Sequence, residues 1–147
     1  MECRLTKSCQ VAALRDVVWS EWTEVERVTQ WFCSEARIEL RPNGPYELLF
    51  LMDNPPGLQG GEGNTIQSFE PQRLLAVTWN APPQFGPLRD VRTWVQVELN
   101  DIPGGTAVTL IHYGWRSGPE WEQIISYFDR AWDQVMNALT ERLGALS

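Results

Sequence analysis

The stretch SGPEWEQIISYFDRAWDQVMNALTERLG, residues 117–144, decides the fold. Trp121, Ile125, Phe128, Trp132, Met136, Leu139 and Leu143 recur at steps of four, three, four, four, three and four. That spacing puts one apolar stripe along one long helix. Ser117 and Glu120 form a capping-box pattern, Pro119 suits a first turn, and Gly144 suits a helix end. A helix with so many aromatic residues on one face needs an apolar surface to lie against.

That surface has to come from the segments before it. Residues 3–12 alternate weakly, as a first strand does. In LRDVVWSEWT, residues 14–23, Val17, Val18, Trp19 and Trp22 follow a helical repeat. Thr23 and Glu26 then make a second capping-box pattern over EVERVTQWF, with Val25, Val28, Trp31 and Phe32 as the apolar face. Two short helices follow the first strand in this reading.

From Ser34 the period changes to two. EARIELRPNGPYELLFLM, residues 35–52, carries a turn at Asn43-Gly44. Alternation assigns Tyr46, Leu48, Phe50 and Met52 to the helix side, and Glu47, Leu49 and Leu51 to the other. NPPGLQGGEGNT is a turn-rich loop, and IQSFEPQRLLAVTW gives strands that break at Glu70-Pro71. APPQFGPL is a further loop, and residues 91–115 form a long hairpin turning at Pro103-Gly104-Gly105. Strands joined by short turns make an antiparallel sheet, and such a sheet can bury a single face. The predicted class is α+β: a curved antiparallel sheet of about six or seven strands around the C-terminal helix, in one domain spanning residues 1–147.

Composition sets limits on function. Of 147 residues, 43% are hydrophobic and 21% charged, which suits one globular domain. No apolar run nears the roughly 20 residues of a membrane span, and the N-terminus lacks a signal-peptide core. The expected location is the cytoplasm. A net charge of −7 argues against nucleic acid or an anionic membrane as partner. Cys3, Cys9 and Cys33 show no CxxC spacing, and one histidine supplies no metal cluster. Reduced thiols are expected, with Cys3 and Cys9 on one strand face, and neither metal nor cofactor is assigned.

Five segments in order resemble one family. VVWSEWTEVERVTQWF resembles a VWxAxTxPxxxxxWF signature, and RPNGPYEL an RxGGxYxx hairpin. SFEPQRLLAVTW, GGTAVTLIHYGW and AWDQVMNALTERL match the remaining three blocks. The chain is thereby similar to the SRPBCC superfamily (START-like, Bet v 1-like), in its activator-of-heat-shock-ATPase branch. The resemblance implies the helix-grip fold, whose sheet wraps the helix around an apolar cavity. Val25 stands where the family has proline, and Ala131 where it has glycine. DNPPGLQGGEG, residues 53–63, replaces a shorter family turn and bears on the pocket mouth.

The candidate ligand-binding residues are Tyr46, Phe50, Trp79, Trp94, His112, Trp121, Phe128, Trp132 and Met136. Register decides the side that Trp79, Trp94 and His112 face. No catalytic residue is assigned. His112, the one imidazole, matches a family HxG position and reads as a structural histidine, although an imidazole can also move protons. Asp129 and Asp133 share a helix face and read as solvated. Glu39, Glu47 and Glu98 are expected to point outward, with Arg37 and Arg92 as partners. The GGEG at 60–63 lacks the lysine of a phosphate loop.

Three functions fit. One is a binding protein for an apolar or aromatic metabolite or lipid. A second is a polyketide-cyclase-like enzyme, which needs polar groups converging in the cavity, with His112, Tyr46 and Tyr113 as the candidates. A third is a co-chaperone-like partner of the ninety-kilodalton heat-shock chaperone, disfavoured because no extra N-terminal domain is present. A monomer or a homodimer is expected, with Trp115 or Phe85 as exposed aromatics for an interface.

Overall fold

The 117–144 stretch does carry the long helix. In the computed structural model, which describes residues 3–146, it is α3, spanning Pro119–Leu143. Before it come β1 (Leu5–Val11), α1 (Arg15–Thr23), α2 (Val25–Val28), β2 (Glu35–Ile38) and β3 (Tyr46–Leu49). Then follow β4 (Ile66–Glu70), β5 (Leu74–Trp79), a kinked 3-10 segment (Pro83–Asp90), β6 (Thr93–Ile102) and β7 (Gly105–Tyr113).

Five strands hydrogen-bond in the order β1-β7-β6-β5-β4, all antiparallel, and β2 pairs with β3. The two sheets meet where Pro45 bridges Thr65 and the Tyr46 N–H donates to Asn64 O. Leu75, Val97 and Leu110 align across three strands, as do Val77, Val95 and His112. These rows are buried, while Trp94 and Glu98 on the same strands point outward. The inner rows supply the apolar face that α3 covers, which is the helix-grip arrangement.

The α3 stripe differs by one residue from the pattern. Ile124 is buried and Ile125 is half-buried. The cap also differs: Gly118 occupies the N-cap with no side-chain bond, so Ser117 and Glu120 do not close a capping box. Pro119, the acidic first turn (Glu120, Glu122) and Gly144 at φ 91° fix the helix ends instead. Thr23 likewise is no cap. α1 runs through it, and its hydroxyl donates to Trp19 O.

Two charged clamps join the helix to the rest. Lys7 on β1 reaches Asp129 at 2.6 Å and Asp133 at 2.9 Å, so these carboxylates are ion-paired rather than merely solvated. Glu21 on α1 is 1% exposed and bonds the Arg142 guanidinium, with Arg27 also at 3.6 Å. Cys3 lies before β1, so it shares no strand face with Cys9. Trp115 and Phe85 are half-buried against the core rather than exposed.

Removing one member of a buried ion pair leaves the other desolvated and poorly partnered. Arg142→Ala is expected to lower the unfolding free energy by about 3 kcal/mol, the low end of the range because Arg27 remains. Urea denaturation checks this, and a loss under about 1 kcal/mol would mean that Glu21 needs no partner there.

Candidate functional site

A cavity of about 290 Å³ lies between α3, the end of β5 and the loops at residues 50–61 and 80–84. The turn after α2 adds Phe32, β5 ends in Trp79, and α3 presents Tyr127, Phe128, Ala131, Trp132 and Val135. Asn80, Ala81, Pro82, Pro83 and Gln84 line a second side, and Phe50, Leu51, Gly60 and Gly61 a third.

Its inner end is a box of rings. Trp79 and Trp132 have centroids 5.2 Å apart, Phe32 and Trp132 6.0 Å, and Phe128 and Trp132 6.1 Å. Such edge-to-face and offset pairs stabilise each other and stiffen the wall. Phe50 and Leu51 are 38% and 44% exposed, and Gln84 is exposed, so these residues mark the mouth.

Of the candidate residues, Phe50, Trp79, Phe128 and Trp132 come together on the cavity wall. Five do not reach it. Tyr46 is buried and its hydroxyl donates to Trp22 O at 2.6 Å; burial, then Cys33 nearby, raises its pKa. Trp94 faces outward and stacks on Tyr113. Trp121 and Met136 are buried in the core. The alternation stops after Leu49: Phe50 and Leu51 both line the cavity, so Leu51 is not on the opposite face, and Met52 does not reach it. The strand ends at Leu49, and the N–H groups of Phe50 and Leu51 both donate to Gln59 O.

His112 sits behind the wall, fully buried. The Trp132 indole N–H donates to its Nδ1 at 3.0 Å. An indole N–H can only donate, so Nδ1 is bare and Nε2 carries the proton. Nε2 then donates to Thr93 Oγ1 at 2.7 Å, and Thr93 donates to Trp79 O. Both nitrogens are occupied, and burial holds the pKa well below 6.5. Tyr113 lies on β7 beside Trp94, not on the cavity wall.

The rim is held by polar groups bonded to one another and to its backbone. Arg89, 9% exposed, donates to the carbonyls of Ala81, Gly57 and Gly60. Asn80 donates to Gly60 O and accepts from Asn64. Arg92 bonds Asn64 and the Glu62 carbonyl instead of an outward carboxylate. The GGEG loop does gather N–H groups around an anion, and the anion is its own Glu62. Gly57, Gln59 and Gly60 N–H groups donate to that carboxylate. Burial pushes the Glu62 pKa up, but these backbone bonds outweigh it and hold the group below 4.5. Gly60 has φ 149°, and a Cβ there would sit 2.8 Å from Leu48 O and from the Phe50 ring.

The remaining wall residues are not among the binding candidates, although Phe32 and Ala131 stand out in the sequence for other reasons. Tyr127, Ala131 and Val135 form a second row four apart, one residue before Phe128, Trp132 and Met136, and that row is the signal for them. Asn80–Gln84 carried none beyond a proline-rich loop.

A family model described as activator of Hsp90 ATPase homolog 1-like protein matches residues 12–144. The chain belongs to this family. The family's fold recurs in solved structures. A Mesorhizobium loti protein is 19% identical at TM-score 0.76, covering 95% of this chain and 95% of that one. An AHSA1-like protein from Rhizobium etli is 22% identical at 0.69, covering 99% and 84%. The Aha1 dimer from Colwellia psychrerythraea is 13% identical at 0.70, covering 96% of each chain. No curated protein matches. The Ala131 that departs from the family glycine pattern lies on the cavity wall.

A neutral buried imidazole opposes protonation only in the folded state, so its contribution is full above pH 6.5 and falls as pH drops below it. Unfolding free energy is expected to fall below that pH with a slope approaching about 1.4 kcal/mol per unit, and His112→Phe to flatten it. An unchanged slope between pH 6.5 and 5 would remove His112 from this role. The Glu62 contribution is present above 4.5 and is lost as pH falls through its lowered pKa. Glu62→Gln is expected to speed amide exchange at Gly57, Gln59 and Gly60, measured at pH 7 by hydrogen-exchange mass spectrometry.

Proposed function

We propose that the protein binds a small apolar or aromatic molecule in the cavity between α3 and the sheet, acting as a carrier or sensor rather than as a catalyst. The observation that carries this is the chemistry of the wall. Five of its rings are Phe32, Phe50, Trp79, Phe128 and Trp132, and among the described residues its lining holds no carboxylate, imidazole, thiol, ammonium or guanidinium. At about 290 Å³ the cavity lies at the lower end of the roughly 300–1,000 Å³ usual for ligand sites. The ligand is therefore one or two rings in size rather than a long lipid.

A cyclase-like reaction needs a group that gives or takes a proton at the substrate. The candidates lie elsewhere: His112 has both nitrogens bonded, and the Tyr46 hydroxyl is spent on Trp22 O. Cys33 lies outside this cavity, with burial pushing its thiol up to about 12. These placements support binding over chemistry. No helix among the described residues is long and apolar enough to cross a membrane, and we place the protein in the cytoplasm. For its assembly we carry monomer or homodimer, the second supported by the Colwellia relative, whose structure is that of a dimer.

Native mass spectrometry of the purified protein and titration with naphthalene test the reading. Trp79 and Trp132 on the wall report occupancy, so naphthalene is expected to change tryptophan emission saturably. Ala131→Trp fills the cavity and is expected to weaken the response at least about tenfold, a penalty of about 1.4 kcal/mol, with the urea midpoint little changed. No bound mass together with no saturable response would defeat the reading.

A further inference from the structure

Few polar residues line the cavity, and two of them have side chains with no hydrogen-bond partner among the described residues, which names its ligand more closely. The inner wall is Trp79, Phe128 and Trp132, at 7%, 5% and 2% exposure. Three polar side chains line the cavity: Asn80, Gln84 and Tyr127. Asn80 is already engaged, its amide N–H on Gly60 O and its oxygen under Asn64. Tyr127 and Gln84 make no side-chain hydrogen bond among the described residues. They belong to the same side of the mouth, because Tyr127 packs edge-on against Phe85, the neighbour of Gln84, with ring centroids 6.2 Å apart.

The charged groups of the rim are already engaged. Arg89 spends its guanidinium on three rim carbonyls and lies 3.9 Å from Glu62, and Glu62 is wrapped by backbone N–H groups. A charged ligand ring-first in this cavity loses water and meets no counter-ion, which is costly. A neutral hydroxyl or carbonyl at the mouth meets two groups that both donate and accept.

Resting on the binding reading, we propose that the site selects a neutral ring compound carrying one hydroxyl or carbonyl group, inserted ring first, with Tyr127 and Gln84 as the residues that hold the polar group. Specificity against anions comes from the lack of any compensating charge on the wall. Specificity over bare hydrocarbons comes from this pair.

Three probes of one shape separate the possibilities at pH 7: naphthalene, 2-naphthol and 2-naphthoate, the last an anion. 2-Naphthol is expected to bind at least about tenfold more tightly than 2-naphthoate. The double variant Tyr127→Phe, Gln84→Leu is expected to weaken 2-naphthol about fivefold relative to naphthalene. Equal binding of 2-naphthol and 2-naphthoate overturns the proposal while the binding reading stands. So does a variant that weakens naphthalene as much as 2-naphthol, because the pair would then act by packing alone. Failure of all three probes to bind overturns the binding reading and this proposal with it.

Discussion

The bond from the Trp132 indole to His112 Nδ1 crosses from helix to sheet at the centre of the molecule. It sets the imidazole tautomer, which sets the donor to Thr93, which in turn reaches the end of β5 at Trp79. A wrong tautomer would place two N–H groups against each other in a dry site, where an unmade bond is expensive. One relay behind the wall thus fixes the Trp132 indole and the Trp79 backbone. The deep end of the cavity wall is apolar because the Trp132 N–H is turned onto His112 behind it.

The rim obeys the same rule. Loop 57–63 contains three of the protein's positive-φ glycines, and a free loop of that composition would sample many shapes. Glu62 gathers its N–H groups, Arg89 gathers its carbonyls, and Asn80 takes a further share. The mouth is therefore built from backbone held by side chains, while Phe50 and Leu51 beside it, with Met52 and Leu58, stay partly exposed. Burying a charged pair near an apolar cavity has a desolvation cost, and it is met here by many bonds to each group.

Periodicity made most of this fold legible. The α3 stripe, the glycine at its end, the 102–105 hairpin and the break after Glu70 all follow from spacing and turn chemistry. What spacing cannot give is competition between local partners. Thr23 and Ser117 carry cap chemistry, yet Thr23 is drawn into α1 and Gly118 takes the cap position of α3. Trp94 needed the register: only the pairing of Val95 with His112 turns it outward. The cavity wall was half visible, because the ring stripe on α3 marks core and wall alike. Trp121 and Met136 on that stripe went to core, and Phe128 and Trp132 to the wall.

The pairing of β1 with β7, in which Leu5 faces His112, also orders events in time. β1 is made first, and the strand it needs comes after every other strand. During synthesis it has no sheet edge to join, and closing so long a segment is entropically unfavourable until β5, β6 and β7 have formed a surface. Its alternating exposed residues, Thr6, Ser8 and Gln10, keep the waiting strand polar on one side. The same lysine that later clamps α3, Lys7, carries a charge into that interval, which is the protection an unpaired strand requires against joining another chain.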